Sequence, residues 1–325
     1  MQTVAFPGNG RAEIIELPRP APRDPGDAIV LVTTAAIGPW DVDSFLGAGS
    51  TAHKTTPGGE FAGIVVETGG DVSLIELDDL VTNTIQHVAG GSRSELFGSK
   101  TLPGGHAEYV RVPDADTTLT KIAASGEERA VLAGGTAALG AGAAAMALAA
   151  SPVGTYTVVG CDPIGLTALI ALNNGTAGVK DRISAIEGHS ARRTLAASYA
   201  EEVFASAGGV AGHRSDVVIV GALRDGPGIE VAMKSVKVGG NIIFVEPYGA
   251  SRFVESGTFV PEGVTITSTD WPGVDDAKRI VTNLQIRRID LTPVVSHVMP
   301  LDEVQDAYEA AAGPGPGVQK VLLKM

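Results

Sequence analysis

The sequence predicts an α/β protein of two domains, an all-β unit and a doubly wound parallel sheet, on three observations. The chain has 325 residues, more than one ordinary hydrophobic core holds. Up to about residue 120, short β-branched runs are separated by turn-forming breakers. These runs are 28–36 (AIVLVTTAA), 61–68 (FAGIVVET), 79–85 (DLVTNTI) and 107–112 (AEYVRV), with Pro57-Gly58-Gly59 and Pro103-Gly104-Gly105 among the breakers. From Thr155 onward YTVVG, DRISAIE, SDVVIVG, NIIFVEP and VTITSTD alternate with helical patterns. Alternation of that kind builds βαβ units and a parallel sheet.

Taken in order, the N-terminus (MQTVAFPGNGRAEIIELP) lacks the basic and then apolar run of a signal peptide. The polar, glycine-rich stretch 86–105 reads as a loop. Residues 137–150 are apolar but too short for a membrane span. Residues 156–159 form a buried strand, and Gly160-Cys161-Asp162-Pro163-Ile164-Gly165 follows it and opens the helix LTALIALNN, with Gly175 as its terminator. This is G-x-G-x-x-G in its strand–turn–helix setting, with Asp162 in place of the second glycine. That glycine lets backbone approach a pyrophosphate lying over the helix N-terminus, so a carboxylate there sets charge against charge. Glu187 ends the next strand, where an acidic residue hydrogen-bonds the adenosine ribose. Arg192 and Arg193 follow on the next helix. The β-branched run 264–269 reads as the sheet edge, which invites a second copy and predicts a homodimer.

Composition narrows the function. The chain is 44% hydrophobic and 5% aromatic with 42 glycines, and its formal charge is −13. That charge disfavours nucleic acid and anionic membranes as partners. One cysteine and no export signal predict a cytoplasmic protein. There is no solenoid repeat, Walker loop, H-E-x-x-H or Ser/His/Asp order.

PGGEFAGIVVETGGDV (57–72), GGHAEYVRVP (104–113), VVGCDPIGL (158–166), KVGGNIIFVEPYG (237–249) and the tail 299–323 together resemble the medium-chain dehydrogenase/reductase superfamily over the whole chain. The resemblance implies a GroES-like β-barrel catalytic domain at 1–123 and 272–325, and a Rossmann dinucleotide-binding domain at 124–271. It implies NAD(H) or NADP(H) as cofactor. Gly160, Asp162, Pro163, Ile164, Gly165, Glu187, Arg192, Arg224, Val245 and Glu246 are the expected cofactor-binding positions. Glu187 favours NAD, because a carboxylate repels the 2′-phosphate of NADP. Arg192 and Arg193 keep NADP open.

Zinc-dependent members of that family carry a cysteine, a proton-relaying threonine and a histidine on the first active-site loop, where this chain has Gly38, Trp40 and Asp43. Their Gly-His-Glu resembles Gly58-Gly59-Glu60 with the histidine gone, and LAGGTAA (132–138) holds no third donor. Four thiolates for a structural zinc are impossible with one cysteine. The expectation is therefore no zinc. The zinc-free quinone oxidoreductase branch carries Asn-Pro-x-Asp on that loop, which Gly38-Pro39-Trp40-Asp41 resembles without the asparagine.

Hydride transfer without zinc needs side-chain or backbone donors where charge develops on oxygen, and then a proton. Trp40 offers an indole N–H or simply a pocket wall. Asp43 is a general acid if burial raises its pKa, and otherwise a solvated carboxylate. His53, His87 and Tyr248 are further proton donors, each with a bland solvated or structural alternative. Asp41 and Glu60 are expected to pair with buried cations, and His106 to pack. The cleft is expected between barrel and Rossmann sheet, with Trp40 and Asp43 on one wall and Glu246, Tyr248 and Trp271 lining the rest. The first functional expectation is a zinc-independent oxidoreductase acting on a carbonyl, alcohol or activated C=C of a small organic molecule. The alternative is a non-redox descendant running elimination, cyclisation or isomerisation, with the nucleotide lost or structural.

Overall fold

The β-branched runs become strands, and their registers set the chemistry that follows. The computed structural model describes every residue except 9, 48–54, 85–86, 91–92, 211, 222–227, 246–260, 270–273, 314 and 316. Two compact units result, Met1–Ala138 with Pro272–Arg288 and Val295–Met325, and Leu139–Trp271 with Ile289–Val294.

The first unit opens with the strands β1 (Gln2–Gly8), β2 (Arg11–Glu16) and β3 (Ala28–Ala36) and the helix α1 (Pro39–Phe45). It continues through β4 (Glu60–Thr68), β5 (Leu80–Asn83), β6 (His87–Gly90), β7 (Arg93–Leu96) and β8 (Tyr109–Val112). The short elements α2 (Ala115–Thr118), β9 (Leu119–Lys121) and α3 (Glu127–Ala130) follow. The helix α4 (Thr136–Ala150) leads into the second unit.

That unit alternates β10 (Tyr156–Val159), α5 (Pro163–Gly175), β11 (Ile183–Ile186), α6 (Ser190–Ala196), β12 (Glu202–Phe204) and β13 (Ser215–Val220). It ends with α7 (Gly228–Ser235), β14 (Val236–Phe244) and β15 (Thr265–Ser268). The chain then returns to the first unit as α8 (Val274–Gln285), β16 (Val295–Pro300), α9 (Val304–Ala312) and β17 (Lys320–Lys324).

In the first unit β3 is the centre of a seven-stranded sheet ordered β16-β17-β3-β4-β5-β9, with β8 also paired to β3. Val30, Val32, Phe61, Val65, Val81, Val110 and Leu119 fill one buried cluster. A second cluster packs Phe6, Phe45 and Tyr308, whose ring centroids lie 4.9 Å (Phe6 to Tyr308) and 5.2 Å (Phe45 to Tyr308) apart. The second unit is an all-parallel six-stranded sheet ordered β12-β11-β10-β13-β14-β15. β10 is buried along its whole length, as a central parallel strand must be. β15 is the edge that the run 264–269 predicts.

Four sequence expectations change. GPWDVD opens a short helix, α1, because Gly38 is extended, Pro39 occupies the first turn, and the Asp41 carboxylate accepts the Gly38 N–H at 2.8 Å. The stretch 86–105 contains the antiparallel pair β6–β7, too short among its glycines to show a period. Gly175 is the last helical residue rather than a left-handed terminator. It packs against Leu148, and the left-handed residues come later, at Ala177 and Gly178. Residues 124–138 fall in the first unit, where Thr136 binds Glu60 and Thr82 Oγ1 donates to the Ala130 carbonyl.

Among the described residues no single helix is long and apolar enough to cross a membrane. The pair Ala124–Gly134 and Thr136–Ala150 passes that test only when taken together, bent by 67°.

Candidate active site

At the C-terminal end of β10 the chain must reverse into α5, and the turn is built from small residues for steric reasons. Gly160 has φ +82°, and a Cβ on Gly165 would lie 2.0 Å from the Gly160 carbonyl oxygen. Pro163 takes the first helical position and Ile164 is buried in the sheet interface. Asp162 is the N-cap, with extended backbone, and its Oδ1 accepts the Gly165 N–H at 2.7 Å. Burial pushes the Asp162 carboxyl up to about 6, opposed by the Gly165 N–H and the Arg192 charge and reinforced by Glu187.

Parallel pairing of β10 with β11 puts Val159 beside Ile186, so Glu187 leaves β11 level with Gly160. Its carboxylate is buried, with Oε2 accepting the Cys161 N–H and Oε1 the His189 N–H, each at 2.7 Å. The two arginines divide. Arg193 Nη1 donates to the carbonyls of Glu187 and Gly188 and so braces the turn into α6. Arg192 is the one whose charge bears on Cys161 and Asp162. The Cys161 thiol is buried, and burial beside Glu187 and Asp162 raises its pKa well above the ordinary range, so it stays a neutral packing group. Val245 is buried just past β14, its N–H on the Val220 carbonyl at 2.8 Å. The structure thus gathers Gly160, Asp162, Pro163, Ile164, Gly165, Glu187 and Arg192 at one turn. Arg224, Glu246, Tyr248, His53 and Trp271 lie outside the described residues, as does the His87 side chain.

In the first unit the register Leu322–Ala36–Glu60 across β17, β3 and β4 brings the start of β17 to the start of β4. Lys320 Nζ meets Glu60 Oε2 at 2.5 Å, both side chains 2% exposed. Thr136 adds its N–H and its hydroxyl to the same carboxylate. Asp41 was expected to pair with a buried cation; instead it accepts the backbone N–H groups of Gly38 and Gly58, each at 2.8 Å, which ties α1 to the Gly58 turn. His106 is fully buried, with Nδ1 2.6 Å from the Tyr308 hydroxyl and Nε2 3.3 Å from the Ala36 carbonyl. Burial lowers its pKa, Asp41 opposing, so the imidazole is held neutral.

Trp40 is half-buried on α1 and lines, with Gly38, Gly59, Glu60 and Phe97, a cavity of about 10 Å³, the room of about one water. Asp43 stands one turn further along α1, half-buried, and is not part of that lining. Sequence reasoning missed Lys320. Its one signal is a lysine at the head of the apolar run VLL, where an inward-facing ammonium requires a buried anion.

Zinc does not fit these residues. Gly38 and Gly59 carry no ligand atom, the Glu60 carboxylate is engaged by Lys320 and Thr136, and Asp41 by two backbone amides. Among the described residues no three His, Cys, Asp or Glu side chains group to hold a metal ion. The turn at Asp162 does fit the adenosine half of a dinucleotide, with Asp162 itself the discordant group.

Residues 24–123 match the family model of the alcohol dehydrogenase GroES-like domain. A zinc-type alcohol dehydrogenase B of Aspergillus flavus is 35% identical over 188 residues, 52% of this chain but 44% of that protein, so the match spans under half of that relative. A probable zinc-binding alcohol dehydrogenase of Mycobacterium tuberculosis is 25% identical over 334 residues, covering 96% of this chain and 85% of that one. An Escherichia coli protein described as a short chain alcohol dehydrogenase, solved with NADH, superimposes with a TM-score of 0.85 at 19% identity, covering 100% of this chain and 99% of that one. At that identity the likeness speaks for the fold alone.

Proposed function

We propose that the chain, a member of the medium-chain dehydrogenase/reductase superfamily, is an oxidoreductase that transfers hydride between a nicotinamide cofactor and a carbonyl, alcohol or activated C=C of a small organic molecule, without zinc. The observation that carries the cofactor half is the turn at β10–α5, with Gly160 and Gly165 in their required geometry and Glu187 bonded to its backbone. When bound, the cofactor supplies or accepts the hydride. Glu187 would hold the adenosine ribose, the first amides of α5 the pyrophosphate, and Val245, just past β14, would lie toward the nicotinamide half. Glu187 supports NAD over NADP, since its buried carboxylate repels a 2′-phosphate. Arg192, whose charge bears on Asp162, and Arg193, which donates to the Glu187 and Gly188 carbonyls, keep NADP open.

Zinc independence is supported by the donor set. The glycines at 38 and 59 offer nothing, and the carboxylates beside them are held by a lysine and by amides. The proton is assigned to Asp43, with Trp40 shaping the wall next to it. His53 and Tyr248 stay in the proposal as alternative donors.

A non-redox descendant is the second reading, favoured by one observation: the Asp162 carboxylate already caps the amides that a pyrophosphate would use. Titration with NADH and NADPH followed by nicotinamide fluorescence tests the cofactor half, and no binding of both leaves the non-redox reading with its nucleotide lost. Where a cofactor binds, its oxidation by added carbonyl compounds supports the oxidoreductase, and a bound nucleotide that is never turned over leaves the non-redox reading with a structural one.

The proposal includes a soluble cytoplasmic homodimer, paired along the edge strand β15. Light scattering at micromolar concentration should give twice the 33.1 kDa of one chain, and a monomeric mass would overturn it.

A further inference from the structure

Resting on the nucleotide reading above, we propose that dinucleotide binding to this chain is coupled to proton uptake by Asp162. The carboxylate competes with the pyrophosphate when ionised and donates a hydrogen bond to it when protonated.

Asp162 Oδ1 sits on the Gly165 N–H at 2.7 Å, one of the first-turn amides of α5. Glycines flank the oxygen on two sides, since a Cβ built on Gly165 would lie 3.3 Å from it and one built on Gly221, past the end of β13, 3.2 Å. The carboxylate therefore occupies the junction of β10, α5 and β13, where the backbone of a G-x-G-x-x-G turn approaches the phosphates. A ligand pyrophosphate would bring about two more negative charges to that junction.

Among the described residues, the charges facing Asp162 do not balance them. From β11 comes Glu187, an anion held by Cys161 and His189 amides. From α6 comes Arg192, and Arg193 beside it is tied to the carbonyls of residues 187 and 188. Cys161, on the same turn, is a neutral thiol. The described residues thus supply two carboxylates against one facing guanidinium.

A proton on Asp162 removes one negative charge without moving any backbone. It leaves Oδ1 free to keep the Gly165 amide while the other oxygen becomes an O–H donor. Burial has prepared the group for this, its carboxyl standing at about 6 before any ligand arrives. A phosphate beside it pushes that value further up.

The sign follows from linkage. Above the free-state value, binding takes up a proton, so affinity weakens as pH rises, by up to about tenfold per pH unit. Below it Asp162 is already protonated and affinity levels off.

The test is an NADH fluorescence titration of the wild-type protein, Asp162→Asn and Asp162→Gly between about pH 6 and 8.5. Calorimetry at about pH 7.5 in two buffers of different ionisation enthalpy counts protons. Asparagine keeps the cap, so that variant should fold.

The expected result is wild-type affinity falling several-fold to tenfold per pH unit, with up to one proton taken up. Both variants should be flat with pH, and Asp162→Asn should bind at high pH about as wild type does at low pH. A flat wild-type profile, a slope that survives in Asp162→Asn, or binding rescued by Mg²⁺ without proton uptake would each overturn the proposal. If none of the three proteins binds NADH or NADPH at any pH, the nucleotide reading itself falls, a result distinct from pH-independent binding.

Discussion

The turn between β10 and α5 and the segment from Gly38 through Glu60 have lost different things. In the first, the steric requirements are intact and one electrostatic requirement is altered: Gly160 and Gly165 are where only glycine fits, while Asp162 brings charge. In the second, Gly38 and Gly59 offer no ligand atom, and the described frame around them is intact. Asp41 still locks α1 to the Gly58 turn, and Glu60 is still buried. A metal site disappears once its donors do, because affinity resides in a few atoms. A dinucleotide site would tolerate one altered position, because its binding is spread over amides, ribose contacts and shape.

The sharpest way to break the comparison is at Lys320. Lys320→Met leaves the Glu60 carboxylate buried with Thr136 as its remaining described partner, and should lower stability by about 3–5 kcal/mol in denaturant titration. Pairing it with Glu60→Gln should restore much of that loss. A single variant as stable as wild type would show that the ion pair does not hold this frame together.

Next in size is Asp43→Asn, which should lower turnover about 10²-fold with cofactor affinity nearly unchanged. Unchanged turnover would pass the proton to His53 or Tyr248.

Asp162 contributes to stability as well as to binding. An acid whose folded-state pKa is raised, from 3.8 to about 6, holds more protons folded than unfolded between those values. Stability is therefore lost as pH rises through that window. Asp162→Asn should be more stable than wild type at pH 7 by up to about 2–3 kcal/mol, with the gap closing near pH 4. A gap independent of pH would remove the charge from the explanation.

The smallest effect is expected at Glu187. Glu187→Gln should reduce the NADH over NADPH preference by about tenfold. A wild-type protein that already prefers NADPH would show that Arg192 reads a phosphate instead.

Much of this was legible in the residues. The β-branched runs gave β3, β4, β13 and β15, and G-x-x-x-x-G with Glu187 gave the turn, because those features are local. α1 was not legible, since its start depends on Asp41 reaching back to the Gly38 amide. Glu60 pairs with a buried cation as expected, but its partner Lys320 was not legible, since the strand register of β17, β3 and β4 joins residues far apart in the chain. The Arg192–Arg193 ambiguity needed coordinates for the same reason: only geometry shows which guanidinium is tied to carbonyls.

The central claim is that the dinucleotide turn functions in a chain whose metal site does not. The most direct test is an NADH fluorescence titration on protein purified from a zinc-replete source and dialysed against a chelator, with zinc counted in the same sample. The account predicts saturable NADH binding at far less than one zinc per chain. Binding that needs about one zinc per chain, or none at all in zinc-free protein, would contradict it.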